Sequence, residues 1–298
     1  MIDYLQITDT PFDNMSMDGS HCFLCGINLS NDYTNEDVFP RWLQRKHNLQ
    51  NRKLVLMNGS QIRYSQLKVP CCSKCNNEYL SKLENLISKS INEGYQKFIE
   101  MNPISIFYWG AKIYYGIIRK EMTLQFDRSD STKGKILSEK FVKTLNLLHC
   151  LLQGIRQPFE FIGPLPFSVL VANLHDLEEE NDYFFRDDLV YNTLSFRSGE
   201  VGIIIAFADS GLNNLSYARY LREVKGRKLH PIQFDELFAK VTYESSRILN
   251  QPLLKIFATH NKSKPIQIIN NQAAGLRVKE WDQEEFSHFL TKYLEGWD

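Results

Sequence analysis

The sequence predicts an α+β protein in which a small, metal-stapled N-terminal module precedes a larger mixed α+β domain. Three patterns predict it: two Cys-x2-Cys pairs in the first quarter of the chain, helical periodicity up to about residue 155, and strand-like segments after it. The 298 residues, 43% hydrophobic and 23% charged, suit one large or two modest globular domains. We expect an acidic arm at residues 1–19, a metal-binding module with a helical extension at 20–99, and an α+β domain at 100–298.

Charge and hydropathy exclude several classes of protein. The 35 basic residues balance the 35 acidic ones, so only local clustering can create a polyanion site. The most apolar stretch, residues 104–118, is shorter than the roughly 18 residues of a membrane span and carries Lys112 in its middle. The acidic N-terminal sequence lacks the features of a secretory signal. We therefore predict a cytoplasmic protein with reduced cysteines and no membrane partner.

Basic residues cluster between the two cysteine pairs. Residues 1–37 hold seven acidic side chains and no Lys or Arg, whereas residues 41–77 hold eight basic side chains and no acid. The basic stretch is either a solvated face that balances the acidic arm or a surface that binds the backbone of a nucleic acid. In the second interpretation the phosphate contacts are Arg41, Arg45, Lys46, Arg52 and Lys53.

Periodicity defines the remaining elements. Apolar residues recur every three or four positions over residues 80–98, which predicts an amphipathic helix. Residues 104–119 are apolar on nearly all sides, so we expect a buried helix that begins after Pro103. A polar loop is predicted at 127–135 and a further helix at 141–155. The later elements are strands at 167–174, 191–196, 201–207, 253–257 and 266–269, of which the second and third form a hairpin, and helices at 234–249 and 284–294.

The two Cys-x2-Cys pairs are the strongest chemical signal. Each pair can place two thiolates on one ion, and two pairs complete the tetrahedral four-sulfur shell that zinc prefers. Such a structural zinc has no open coordination position, so it would fix two loops together rather than take part in chemistry. The alternative is that the cysteines only pack. The predicted ligands are Cys22, Cys25, Cys72 and Cys75, with Cys71 as a substitute for Cys72 and His21 as a competitor of Cys22, while Cys150 is predicted to be a core residue.

The order of these motifs resembles a known family. The order is Cys22-x2-Cys25, then Glu36-Asp37-Val38-Phe39-Pro40, then Cys72-x2-Cys75-Asn76-Asn77. It resembles the zinc-containing, four-cysteine branch of the HNH, or ββα-metal, endonucleases, including the recombination endonuclease VII type. In that family an acidic residue and a histidine follow the first cysteine pair, and an asparagine and a helix follow the second. The resemblance covers about residues 22–84.

The resemblance implies a ββα-metal fold and a metal-dependent endonuclease that hydrolyses DNA phosphodiesters. Glu36 would be a ligand of a catalytic Mg²⁺ or Mn²⁺, Asn76 would supply a second oxygen donor, and the residue after Glu36 would activate a water molecule. That residue is Asp37 and not histidine. An aspartate with its ordinary pKa of about 3.9 is a much weaker base near neutral pH than a histidine with a pKa of about 6.5.

This departure from the family pattern leaves several outcomes. Asp37 can act as a poorer base, it can join Glu36 on the ion, or His47 or His21 can supply the base; the site can also be inactive by descent or carry a deliberate substitution. The alternative function is therefore a degenerate zinc module that binds nucleic acid or a protein. Purely structural roles are a further alternative: Glu36 and Asp37 can charge the start of the next helix, and Asn76 can cap the helix that it begins.

The rest of the chain carries no motif for catalysis. Residues 100–298 contain no glycine-rich phosphate loop and no serine elbow, and their dense aromatic stretch at 107–115 is predicted to be core. We expect this domain to form a homodimer, bind a partner protein or position the nucleic acid, which is DNA with RNA as the alternative. By analogy with the family, defence against invading DNA is the expected setting.

Overall fold

The structure of the chain is a computed structural model. It describes residues 4–6, 19–30, 32–137, 145–175, 182–224, 226–250, 253–259, 265–271 and 275–294. The strands are β1 (Tyr4–Gln6), β2 (Thr34–Asp37), β3 (Lys53–Val55), β4 (Gln61–Arg63), β5 (Lys68–Cys71), β6 (Gln125–Asp127), β7 (Asp130–Lys135), β8 (Phe159–Ile162), β9 (Ser168–Asn173), β10 (Tyr183–Asp188), β11 (Thr193–Ser198), β12 (Val201–Ala206), β13 (Leu253–Thr259) and β14 (Ile266–Asn271). The helices are α1 (Arg41–Lys46), α2 (Ser81–Asn92), α3 (Tyr95–Phe98), α4 (Pro103–Glu121), α5 (Asn146–Leu152), α6 (Leu212–Glu223), α7 (Pro231–Ser246) and α8 (Gln283–Leu294).

The chain has the predicted α+β composition and divides into two compact units. The first, here called the cysteine unit, comprises Ile7–Ser88 and Tyr108–Pro158. The second, here called the sheet unit, comprises Met1–Gln6, Lys89–Phe107 and Phe159–Asp298. Both units are discontinuous, because β1 pairs with β13 and because α4 contributes residues to both units. The sequence analysis predicted contiguous segments instead.

In the cysteine unit, two antiparallel strands lead into a helix. β2 pairs with β5, and Thr34 and Asp37 lie opposite Cys71 and Lys68. The chain between these strands forms α1 and the β3–β4 hairpin. After β5, a π-helical turn at Cys75–Leu80 continues directly into α2. This β-β-α order places the acidic pair on one strand and Asn76 at the start of the following helical segment.

Helix α4 is buried on all sides, as its apolar sequence predicts. Within the cysteine unit, the Trp109 ring of this helix stacks on Trp42, with 6.3 Å between the ring centroids. The centroids of Tyr115 and Phe23 are also 6.3 Å apart. The aromatic residues of this helix are therefore core, as expected. Lys112, in the middle of the helix, is only 1% exposed, and it pairs with carboxylates described below.

Over the residues that the structure describes, the sheet unit forms two four-stranded sheets. One is fully antiparallel, in the order β10-β11-β12-β9; the other has the order β1-β13-β14-β8, with a parallel pairing of β14 and β8. Helix α7 packs its apolar residues Phe234, Leu237 and Phe238 into a core shared with β9, β12 and α8. The predicted hairpin is confirmed as β11 and β12, each one buried throughout.

Some elements differ from the sequence expectations. Residues 127–135 were expected to be a loop, but β6 and β7 form a hairpin there, stabilised at its turn by bonds from Ser129 to the Asp127 carboxylate. The pattern was hidden because both faces of this hairpin are largely exposed and polar, so no alternation marks it. The first part of the helix expected at 141–155 lies outside the described residues. Within the described helices, none is both long and apolar enough to cross a bilayer.

Candidate metal centre and the adjoining basic pocket

The four predicted cysteine ligands meet in the cysteine unit. The Sγ atoms of Cys22, Cys25, Cys72 and Cys75 all lie within 4.8 Å of one another. Three of these side chains are buried and Cys25 is half-buried. The Sγ atoms of Cys25 and Cys72 are 3.8 Å apart, and sulfurs held at about 2.3 Å from one tetrahedral zinc would be separated by about 3.8 Å. The thiols are thus placed to bind a metal ion such as zinc.

Local backbone geometry shapes both cysteine turns. In the first, Gly26 takes a left-handed φ of 73° and its N–H donates to the carbonyl of Cys22 at 2.9 Å; glycine adopts this conformation without steric cost. In the second, the Cys75 N–H donates to the Sγ of Cys72 at 3.4 Å. Both turns are tight, and each therefore brings its two sulfurs to the same side.

Helix α5 and the turn after it hold the first cysteine turn from behind. The ring Nε2 of His149 lies 3.1 Å from the carbonyl oxygen of Phe23, and Gln153 donates to the carbonyl of Leu24 at 2.7 Å. Burial lowers the pKa of His149 to about 4, so its ring is neutral near pH 7. The two carbonyls between Cys22 and Cys25 are thus fixed by side chains more than 120 positions later in the chain.

Cys71 lies beside the cluster but is not among its four members. Its Sγ is 3.9 Å from that of Cys22, and it is fully buried. The neighbouring Cys22 thiol, together with burial, raises the pKa of the Cys71 thiol far above its ordinary value. Cys72, and not Cys71, is the fourth member of the cluster. Cys150 is buried in α5, as predicted.

Glu36 faces the interior of the cysteine unit and pairs with a lysine. The Nζ of Lys112 lies 2.6 Å from Oε1 of Glu36 and 2.8 Å from Oε1 of Glu84. The same ammonium group donates to the backbone carbonyls of Asp37 and Val38, at 2.5 and 3.2 Å. One buried cation thus binds two carboxylates and the end of strand β2.

The charges in this cluster shift one another. Burial raises the pKa of Glu36 to about 7, and Glu84 adds to the rise while Lys112 opposes it. For Lys112, burial alone would lower the pKa, but the two carboxylates outweigh it and raise the pKa above its ordinary value. The ammonium is therefore charged at neutral pH, and Glu36 and Glu84 share it as their ion-pair partner.

This arrangement does not fit a hard cation on Glu36. The Lys112 ammonium contacts Oε1 of Glu36 at 2.6 Å, and the Glu36 side chain is only 7% exposed, so little room is left for an ion that keeps several water ligands. A divalent ion would also meet the lysine charge at short range, which is repulsive. The catalytic Mg²⁺ or Mn²⁺ implied by the resemblance thus finds no support at Glu36.

Asp37 lies on the opposite face of β2 and lines a basic pocket. Its carboxylate accepts a hydrogen bond from Nε of Arg41 at 2.9 Å and lies 3.4 Å from Nζ of Lys68. The pocket has a volume of about 310 Å³. Its lining residues are Asp37, Arg41, Gln44, Arg45, Gln50, Ser65 and Lys68. Three cations and one carboxylate line the pocket, so it is positively charged overall.

Asn76 is near β2 but engages its backbone and Thr34. Its Nδ2 donates to Thr34 Oγ1 at 3.1 Å and to the carbonyl of Asn35 at 3.4 Å. The three predicted catalytic residues therefore do not converge. Glu36 faces Lys112, Asp37 faces the basic pocket, and Asn76 binds the two residues of β2 that precede Glu36. The helix-start role suggested for the acids is wrong, because both lie in β2 and α1 begins at Arg41 with Pro40 before it.

The two alternative histidines lie elsewhere. His47 follows the last residue of α1, and burial, with Lys46 and Arg52 nearby, lowers its pKa to about 4. It does not line the basic pocket. The Nδ1 of His21 is 2.7 Å from Ser20 Oγ. Neither histidine is placed beside Asp37 by these contacts.

The predicted phosphate contacts fall into two groups. Arg41 and Arg45 line the pocket with Asp37, and the Arg41 side chain is 71% exposed. Lys46, Arg52 and Lys53 are exposed but do not line it. Lys68 was not among the predicted contacts, although it lies in the same acid-free stretch. The ion pairs of Lys112 with Glu36 and Glu84 were not predicted either. Their sequence signal is a lone lysine within a long apolar helix, since a buried cation needs an acidic partner.

Comparison of the chain with protein-family models, with curated proteins and with solved structures finds no significant match.

Proposed function

We propose that the cysteine unit is an HNH-type zinc module that binds the phosphate backbone of DNA. Its two acids, Glu36 and Asp37, are held in ion pairs with lysine and arginine side chains of the same unit. The zinc ion is structural and is held by Cys22, Cys25, Cys72 and Cys75. The proposal rests chiefly on the basic pocket at Asp37. Asp37 ends strand β2, which pairs with β5 next to the cysteine cluster.

The shape and charge of the pocket support backbone binding. Arg41, Arg45 and Lys68 converge on a cavity of about 310 Å³, and arginine forms paired hydrogen bonds with phosphate oxygens. The ion pair of Arg41 with Asp37 keeps the guanidinium oriented before a ligand arrives. Because phosphate contacts carry no base information, this pocket supports binding without sequence preference.

The state of the two acids favours binding over hydrolysis. Glu36 is neutralised by Lys112, and Asp37 is paired with Arg41 and Lys68. A metal-dependent nuclease needs carboxylate oxygens that are accessible to an ion and a base that is matched to neutral pH. Both requirements are met poorly by carboxylates held in ion pairs.

Hydrolysis of the phosphodiester is the second candidate, and one observation favours it. The Asp37 carboxylate lies in the pocket itself, where a phosphate bound by Arg41 and Arg45 would meet it. Asp37 would then accept a proton from the attacking water, while the cations stabilise the charge that develops on the phosphate.

Binding and cleavage are tested on the full chain. Binding of a short labelled duplex is measured by fluorescence anisotropy for the parent and for Arg41→Ala/Arg45→Ala, with Lys82→Ala/Lys89→Ala on helix α2 as the matched control. We expect the pocket variant to bind about tenfold more weakly, since two phosphate contacts are lost, and the control to bind like the parent. Equal binding by all three proteins would refute the pocket.

Cleavage is measured on a plasmid with Mg²⁺ or Mn²⁺, comparing the parent, Glu36→Ala, Asp37→Asn and Asp37→His. The proposed function predicts binding without cleavage by the parent. Cleavage by Asp37→His alone would show that the scaffold lacks only its base. Cleavage by the parent that is lost in Asp37→Asn would establish the second candidate instead.

A further inference from the structure

The β3–β4 hairpin presents one fully exposed face to the surroundings of the cysteine unit. Lys53 lies directly opposite Arg63, and Val55 opposite Gln61. Side chains alternate along a strand, so these four share one face of the ribbon. All four are exposed, whereas the two residues between them point the other way and are half-buried.

The cross-strand pair on this face carries two like charges. Directly opposed cations repel each other and destabilise a ribbon. Among the residues that the structure describes, no carboxylate pairs with Lys53 or Arg63, and residues 41–77 contain no acid. A bound polyanion would attract both cations and so offset this repulsion. The charge of the face thus complements a nucleic acid rather than a protein surface of mixed charge.

The tip of the hairpin is fixed and partly apolar. The Met57 N–H donates to Oε1 of the buried Glu121 at 3.0 Å, and Nδ2 of Asn58 donates to the carbonyl of Gln125 at 3.2 Å. The Val55 and Met57 side chains are 64% and 51% exposed. The ribbon is thus tied at its far end, with cations near its base and solvent-facing apolar side chains near its tip.

We propose that the β3–β4 hairpin is a docking ribbon for the major groove of duplex DNA. Lys53 and Arg63 bind flanking phosphates, and Val55 and Met57 approach the base edges. The major groove of B-form DNA, about 12 Å wide, admits a two-stranded ribbon, and the A-form groove of duplex RNA is too narrow for side chains to enter. This inference rests on the proposed DNA binding and adds to it the form of the ligand.

The test uses the full chain with the double substitution Lys53→Gln/Arg63→Gln. This change removes the repulsion between the strands, so we expect a melting temperature no lower than that of the parent. We expect duplex DNA to bind about tenfold more weakly, and the slope of log affinity against log salt to fall by about two. Lys82→Gln/Lys89→Gln removes the same charge from helix α2 and should change neither quantity. Parent-like affinity and slope in the hairpin variant would overturn the proposal.

Two comparisons identify the ligand form and separate this inference from the function that it rests on. The parent should bind duplex DNA at least about tenfold more tightly than duplex RNA or single-stranded DNA of the same sequence; equal affinity would overturn the groove assignment. If Arg41→Ala/Arg45→Ala weakens binding and the hairpin variant does not, the hairpin proposal fails and the pocket stands. If the parent binds no nucleic acid, both fail.

Discussion

In the sheet unit, strands β11 and β12 are buried along their whole length, and the core around α7 is built from aromatic and aliphatic side chains. In the cysteine unit, the buried positions around the candidate site include four clustered thiols, a lysine, a glutamate and a histidine. The sheet unit is held by burial of apolar surface, which is not directional. The cysteine unit also has an apolar core around α4, but its candidate site depends on directed bonds to a few atoms. Substitution of a single side chain should therefore be enough to disrupt the geometry of this site.

The largest expected effect comes from disrupting the proposed zinc site. Cys75→Ser, or a strong chelator, should expose the amides of β2, β5 and both cysteine turns to hydrogen exchange while the sheet unit stays protected, because structural zinc contributes on the order of 10 kcal/mol to folding. Peptide-resolved hydrogen exchange with metal analysis measures this. Cys150→Ser, a buried cysteine outside the cluster, is the control and should keep its zinc. Undisturbed protection of β2 and β5 in Cys75→Ser would contradict the contrast between the units.

The next effect comes from Lys112. Lys112→Ala leaves Glu36 and Glu84 buried without their cation, and it should lower the free energy of unfolding by about 3–5 kcal/mol. Denaturant unfolding measures the loss. Lys120→Ala on the same helix should cost less than about 1 kcal/mol. Similar losses in the two variants would show that the buried cluster is not a main support of the cysteine unit.

Glu36 should make stability depend on pH. Its pKa of about 7 in the folded protein lies above the ordinary value of 4.5, so the folded state binds the proton more tightly than the unfolded state does. Its contribution is full below about pH 4.5 and is lost as the pH rises to about 7, by at most about 3 kcal/mol. The free energy of unfolding, measured at several pH values, should decrease less with rising pH in Glu36→Gln than in the parent. Glu78→Gln, an exposed control, should follow the parent.

The smallest effect tests the apolar side of the comparison. A Cβ on Gly202 in β12 would lie 2.7 Å from Cε2 of Phe234 and 2.9 Å from Cδ1 of Leu174. Gly202→Ala should cost about 1–3 kcal/mol through overpacking. Hydrogen exchange should increase in the sheet unit only, and the zinc content should not change. Loss of zinc in this variant would show that the two units are not supported separately.

The sequence indicated the elements whose patterns are local. The helices α4, α7 and α8, the β11–β12 hairpin and the two cysteine turns followed from periodicity or spacing. β8, β10 and α6 were missed. Their half-buried positions alternate weakly, so the contrast between their faces is low.

The candidate site was predictable in part, for a physical reason. Ligand spacing within each cysteine pair is local, so the cluster could be inferred from the chain alone. The partner of Glu36 is 76 positions away on α4, and the choice of Lys112 depends on how that helix packs against β2. Adjacent residues on a strand face opposite sides, and the alternation separates Glu36 from Asp37 once both lie in β2.

We expect the four thiolates of the cysteine unit to hold one structural zinc. Zinc-edge X-ray absorption on the purified chain, with metal analysis, measures this coordination. We predict one zinc per chain with four sulfur neighbours at about 2.3 Å and no oxygen neighbour. A chain with no bound zinc, or a zinc shell containing water or carboxylate oxygen, would contradict it.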